Sequence, residues 1–353
     1  MIIICGRREV ESVDDCKKNT KEYRLLNKVQ KSAFDLIKSD AKFIYTLIQA
    51  NSSINSTFNC VMMSQPYIGL FADGVEQWCR KVKLNSPVFN VTEKEYYKLL
   101  RLSHKLFEKN YNDYVSLLSE KYNESDKYFY SIRSFCEKLF GYYNVGTDLF
   151  NGEFCGNTIL CSMYVPINCL GTNAGIFLKN ISIIAGKLAA FVNGSDMNSF
   201  DVDNHNYSFA YKDYHFYNDC PLKKCDMLSF VLFSILCSVN FVLEFVDKYF
   251  IEEIPQKFKF AYLQYYYLCD FIQDLNRKNN IDFYLNVSLV NTDFRNCLAH
   301  YGLGQYMNEE DIIDEDVLKG LTVKAFDMDY YSTKKLLYKY LSELVVQIKE
   351  YIF

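Results

Sequence analysis

Phe294-Arg295-Asn296-Cys297-Leu298-Ala299-His300-Tyr301-Gly302 is the stretch on which the reading of this chain turns. Around it, apolar residues return at intervals of three and four: Val287, Val290, Phe294, Cys297 or Leu298, and Tyr301. That spacing predicts an amphipathic helix, with Gly302 and Gly304 as candidates for its C-terminal cap. A helix advances about 100° per residue, so Asn296 and His300 share a face, whereas Arg295 lies about 140° from His300 around the axis. Arg295 and His300 therefore converge only if the helix is distorted or a second copy of the segment faces the first. The chain has only four histidines, and one of them stands here beside a permanent cation and a side-chain amide. Arg offers planar, bidentate donors to phosphate oxygens. His gives and takes protons near neutral pH.

Further helices flank this segment. Met227–Phe250 is an almost unbroken apolar run, nearly long enough to span a bilayer. Ser229, Ser234, Ser238, Asn240 and Glu244 interrupt it. In lipid, Asn240 and Glu244 would carry a large desolvation cost, so a buried bundle helix is the preferred reading. Pro255 opens the next helix, which passes through Phe258, Leu263, Tyr267 and Phe271 and stops near Asn276–Asn280. A last amphipathic helix is expected from near Ser332 to Ile352, after an acidic loop at 308–316. Periodicity thus predicts four helices, with the Arg–His segment on the third.

Upstream, residues 20–50 predict one or two helices, and 51–90, with Pro66 and Pro87, a looser segment. Thr92-Glu93-Lys94-Glu95 reads as a capping box opening a helix. Ser125 or Asp126 is expected to cap a helix running to Phe140, residues 150–171 to be irregular, and Asn173–Val192 to be helical. The first residues, Met1–Gly6, read as a short strand or arm. The polar stretch Asn193–Cys225 is the best boundary. The expected fold is mainly α: a larger, mostly helical N-terminal domain over 1–220 and a helical bundle over 221–353.

Composition narrows the classes. Half of the 353 residues are hydrophobic, and only five are Pro, so a packed core is expected rather than a disordered chain. Net charge is −4, without the basic excess of a general nucleic-acid binder, so any RNA contact must come from a local patch. The 30 Tyr and 28 Phe, with abundant Lys, Asn and Ile, match an AT-rich coding bias and are not evidence of a stacking platform. The 13 Cys have no paired metal spacing; Cys220 and Cys225 form a clip without a second one. Reduced thiols and the lack of a secretory pattern point to a cytoplasmic protein. No phosphate-loop, dinucleotide, zinc-protease or serine-hydrolase motif occurs, so no cofactor is expected.

The hexad Arg295–His300 resembles the signature of the HEPN family: an Arg, a polar residue directly after it, and a His a few residues on. Ala299 before the His strengthens the likeness, which covers about the last third of the chain. HEPN domains are small α-helical bundles. Many are metal-independent ribonucleases of toxin–antitoxin pairs, abortive-infection systems and CRISPR-associated effectors. The resemblance implies a C-terminal HEPN-like four-helix bundle that cleaves RNA through its own 2′-hydroxyl, with Arg295, Asn296 and His300 as catalytic residues. It implies a composite site built by a homodimer or higher oligomer, and a role in antiphage defence or as a toxin. The N-terminal part would then answer a protein or nucleotide trigger.

Within this frame Arg295 contacts the scissile phosphate and lowers the His300 pKa by repulsion, and Asn296 orients His300 or the phosphate. Asp270 or Asp274 is a possible partner for Arg295. Tyr301 is read as core, and His104, His205 and His215 as structural or surface residues. Three other readings stand beside it: an Arg–carboxylate pair and a satisfied His in an ordinary bundle, a non-catalytic HEPN-like interaction or nucleotide-binding protein, and a membrane-associated protein using Met227–Phe250.

Overall fold

The computed structural model describes residues 24–53, 58–165, 172–193 and 198–353. The strand or arm expected at Met1–Gly6 and the Pro166 region lie outside these. Helix α1 (Lys28–Ser53) realises the first periodic run as one continuous rod. The looser segment expected after it is instead mostly helical, with α2 (Phe58–Met62) and α3 (Gln65–Val82). Pro66 sits in the first turn of α3, where its missing N–H would have had no partner, so it starts a helix rather than breaking one.

Helix α4 (Val91–Ser103) is capped two residues earlier than expected, by Asn90 rather than Thr92. Asn90 accepts from Glu93 N at 2.8 Å and the Glu93 carboxylate reaches back to Asn90 N at 2.9 Å. Thr92 lies inside the helix. Helix α5 (Tyr111–Ile132) is capped by Asn110 and runs straight through Ser125, which is buried and donates to the Asn144 carbonyl at 3.2 Å. The cap expected there belongs to Ser134, which opens the short α6 (Phe135–Phe140).

A small antiparallel sheet then interrupts the helices, with β1 (Val145–Phe150) between β2 (Glu153–Asn157) and β3 (Phe209–Tyr214). Asn151 and Gly152 turn the β1–β2 hairpin with positive φ of 51° and 82°, the conformation that an Asn-Gly pair favours in a tight hairpin. The hairpin turn and β2 fall within 150–171, where irregular structure was expected. Helices α7 (Thr158–Tyr164) and α8 (Thr172–Asn193) complete this part, α8 where an apolar helix was expected.

Helix α9 (Met227–Asn240) continues through a π-helical segment (Phe241–Val246) to a last turn at Asp247–Tyr249. Among the described residues it is the one helix long and apolar enough to cross a membrane, and 94% of its most apolar stretch is buried within the protein. Two of its polar residues are matched inside: Asn240 donates to the Phe154 carbonyl at 3.2 Å, and Ser238 lies 3.0 Å from the Tyr164 hydroxyl. Next come α10 (Pro255–Asn279), α11 (Thr292–His300), the short α12 (Leu303–Tyr306), α13 (Val317–Phe326) and α14 (Tyr330–Ile352). Helix α14 packs on α9, α10 and α13, and α11 packs between α10 and α13. The protein is mainly α.

Residue 220 marks no gap in the packing. One continuous buried cluster runs from Leu26 to Ile352. Helix α1 packs on α10, α12 and α13, α3 packs on α11, and β2 packs on α9. The division expected at 220/221 is therefore bridged by shared core, because the apolar faces of α1 and α3 need the later helices to cover them. The acidic loop is tied to its own surroundings. Asp311 pairs with Lys324 at 2.6 Å and Asp314 with Lys319 at 2.9 Å, and Asp316 caps α13.

Candidate functional site

Helix α11 is anchored at both ends, which fixes where its polar residues emerge. At its start, Asn291 accepts from Phe294 N at 2.9 Å. The Tyr262 hydroxyl of α10 lies 2.8 Å from the Leu289 carbonyl and accepts from Asn291 N at 3.0 Å. Phe294 is buried edge-on against Tyr262, with ring centroids 4.5 Å apart, and beside Phe326 at 4.8 Å. Cys297, Leu298 and Ala299 are buried with it, the inward face that the apolar spacing predicts.

The end of α11 departs from expectation. Neither Gly302 nor Gly304 supplies the left-handed residue; Tyr301 does, at φ 48°. The reason lies in the core. The Tyr301 hydroxyl and the Lys259 ammonium both donate to the Asp40 carboxylate, and Lys259 also lies 3.2 Å from that hydroxyl and 4.4 Å from the ring centre. Gln256 donates to the other Asp40 oxygen at 2.8 Å. Burial holds the Lys259 pKa down and, with Asp40 beside it, pushes the Tyr301 pKa up. This network locks the residue after His300 to α1 and α10. Tyr301 is core, as read from the sequence. Against it, α3 comes close because residue 74 is Gly: a Cβ there would sit 2.5 Å from the Tyr301 ring.

Arg295, Asn296 and His300 are each half-buried at the solvent edge of this assembly. The Arg295 guanidinium lies over the rings of Tyr266 and Tyr267, at 5.0 and 5.7 Å from their centres. Its Nε, and Nδ1 of His300, are buried polar atoms with no hydrogen-bond partner among the described residues. Neither carboxylate proposed as a partner for Arg295 pairs with it. Asp274 is held by Arg277 and by Tyr111 N at 2.7 Å, and Asp270 is exposed. An ordinary Arg–carboxylate pair therefore does not account for Arg295 among the described residues. Among the described residues no hydrogen bond joins Asn296 to Arg295 or His300.

His300 has its pKa lowered to about 4, first by burial, then by the charge of Arg101, then Arg295, Lys105 and Lys81. The Arg295 repulsion expected from the sequence is thus a lesser cause than burial. Arg101 stands on α4, held by Asp73 of α3 at 2.6 Å. His104, read from the sequence as structural or surface, belongs to the same neighbourhood. Its Nε2 lies 3.4 Å from the Tyr267 hydroxyl and its Nδ1 faces the Arg101 carbonyl. Burial lowers its pKa to about 3, the backbone hydrogen bond opposes that, and Lys105, Arg101 and His300 add to it. Sequence reasoning missed the gathering of Arg101, His104, Lys105 and Lys81 about the motif, which arises only because α3 packs on α11 and α4 packs on α3.

The arrangement can do two things. It presents an uncharged imidazole, able to accept a proton, and it surrounds that imidazole with fixed positive charge suited to an anionic substrate. No known protein-family model, curated protein or solved structure matches this chain.

Proposed function

We propose that this protein is a metal-independent endoribonuclease of HEPN type, with Arg295, Asn296 and His300 as its catalytic residues. The observation that carries the reading is that one anchored helix brings to the solvent edge both Arg295, which forms no ion pair among the described residues, and a His300 held neutral among cations. A neutral imidazole is the form that can take the proton of a ribose 2′-hydroxyl. The oxygen so freed attacks the adjacent phosphorus, the bond from phosphorus to the 5′-oxygen breaks, and that oxygen leaves with a proton. Arg295 balances the charge on the crowded phosphate. The products are a 2′,3′-cyclic phosphate and a free 5′-hydroxyl, with no metal required.

One protomer supplies one imidazole for two proton transfers. A homodimer or higher oligomer, with paired α11 helices, supplies both base and acid. Residues 1–220 would restrain the nuclease or receive a protein or nucleotide trigger. Antiphage defence, abortive infection or a toxin system is the setting, in the cytoplasm.

A second reading is a non-catalytic HEPN-like protein that binds a nucleotide or a partner. Arg295 lying over Tyr266 rather than beside His300 favours it. Incubation of the purified protein with single-stranded RNA in EDTA separates the two. Cleavage leaving cyclic-phosphate ends supports the nuclease; stable RNA or nucleotide binding with no cleavage by the triggered or untriggered protein supports the binding reading.

A further inference from the structure

We propose that the groove between α3 and α4 carries the phosphates of the single-stranded RNA segment flanking the bond that reacts at His300. The groove encloses about 350 Å³ and is lined by Asp73, Glu76, Gln77, Arg80, Lys81 and Lys98. It exists because α3 and α4 lie in close contact where residue 69 is Gly. A Cβ there would sit 2.6 Å from the Leu100 Cβ.

Its formal charge is mixed, but its available charge is positive. Asp73 is taken up by Arg101 at 2.6 Å and by Gln77 at 2.5 Å. Glu76 is taken up by Lys94 at 3.0 Å and by the Tyr97 hydroxyl. Arg80, Lys81 and Lys98 are exposed, and none forms an ion pair among the described residues. Three exposed cations without an ion pair among the described residues line one groove and give a chain of net charge −4 a local basic patch of the kind that RNA binding requires.

The groove also leads to the motif. The Lys81 ammonium lies 3.6 Å from where a Cβ would stand on Gly302, two residues past His300. Lys81 is among the charges that lower the His300 pKa. A strand lying against Arg80, Lys81 and Lys98 would thus run beside the segment that carries His300. Attack by a 2′-hydroxyl needs a ribose and phosphate free to rotate into line, which a single strand allows and a paired A-form helix resists.

The inference rests on the ribonuclease reading for which bond reacts, but the binding itself is measurable without cleavage. The probe is a fluorescently labelled single-stranded RNA oligonucleotide, titrated at several salt concentrations against full-length protein carrying Arg80→Glu and Lys98→Glu. Both residues are exposed, and matched thermal melting confirms folding. The expected result is affinity at least about tenfold weaker than wild type and a shallower dependence of log affinity on log salt, since each lost phosphate contact removes about 0.7 from a single-strand slope. Unchanged affinity and slope overturn the inference, as does equal competition by duplex RNA. Groove-dependent binding without cleavage keeps the groove and removes the nuclease; cleavage indifferent to both substitutions does the reverse.

Discussion

Tyr301 follows the candidate base directly, and its left-handed backbone is held by a buried charge pair rather than by the freedom of a glycine. A non-glycine residue in that conformation is strained by about 1–3 kcal/mol and persists only where its surroundings insist on it. Here the Asp40–Lys259–Tyr301 contacts insist. Tyr301→Phe removes a hydroxyl from a buried carboxylate and is expected to lower stability by about 1–3 kcal/mol, read from urea unfolding. No loss would show that the network does not hold the end of α11.

The two imidazoles give a pH signature. His104 and His300 have folded pKa values of about 3 and about 4, below the ordinary 6.5. Below about pH 6.5 the unfolded chain takes up protons that the folded chain refuses. Their contribution to stability is therefore fully present above about 6.5 and is lost as pH falls through about 4 and then about 3. The difference in urea midpoint between pH 7.5 and pH 5 is expected to be smaller in His104→Gln than in wild type; an equal difference would contradict the assignment for His104.

At the scale of elements, α11 was the most legible part of the chain, since its apolar period and its inward face both follow from adjacent residues. Its end was not, because the partners of Tyr301 stand on α1 and α10, remote in sequence. Helix α3 was hidden by Pro66 and by Gly69 and Gly74, residues that weaken a helix on propensity but suit a helix start and close approaches. The β1–β2 hairpin did carry its Asn-Gly signal, but β1 is buried along its whole length, so the alternation that marks a half-exposed strand was absent. Gly74→Ala tests the α3–α11 contact. The added methyl meets the Tyr301 ring, and overpacking of this kind typically costs about 1–3 kcal/mol. A melting temperature equal to wild type would mean that the two helices part freely there.

Across the whole molecule, the motif is not confined to a C-terminal module. The cations around His300 come from α3 and α4, and the lock behind it comes from α1, so residues on both sides of the expected boundary build one site. That coupling gives the upstream helices a direct physical route to the proposed chemistry: moving α3 or α4 changes both the field at His300 and the groove beside it. It also explains why the candidate site was only half legible. The Arg and His announce themselves in one hexad, whereas their electrostatic surroundings exist only after folding.

The most direct measurement is RNA cleavage in EDTA by wild-type protein and by His300→Ala, with thermal melting of the two compared. The account predicts cyclic-phosphate products from wild type, a loss of at least about a hundredfold in rate for the variant, as befits removal of a general acid–base group, and closely similar melting. Equal cleavage by both proteins would contradict it.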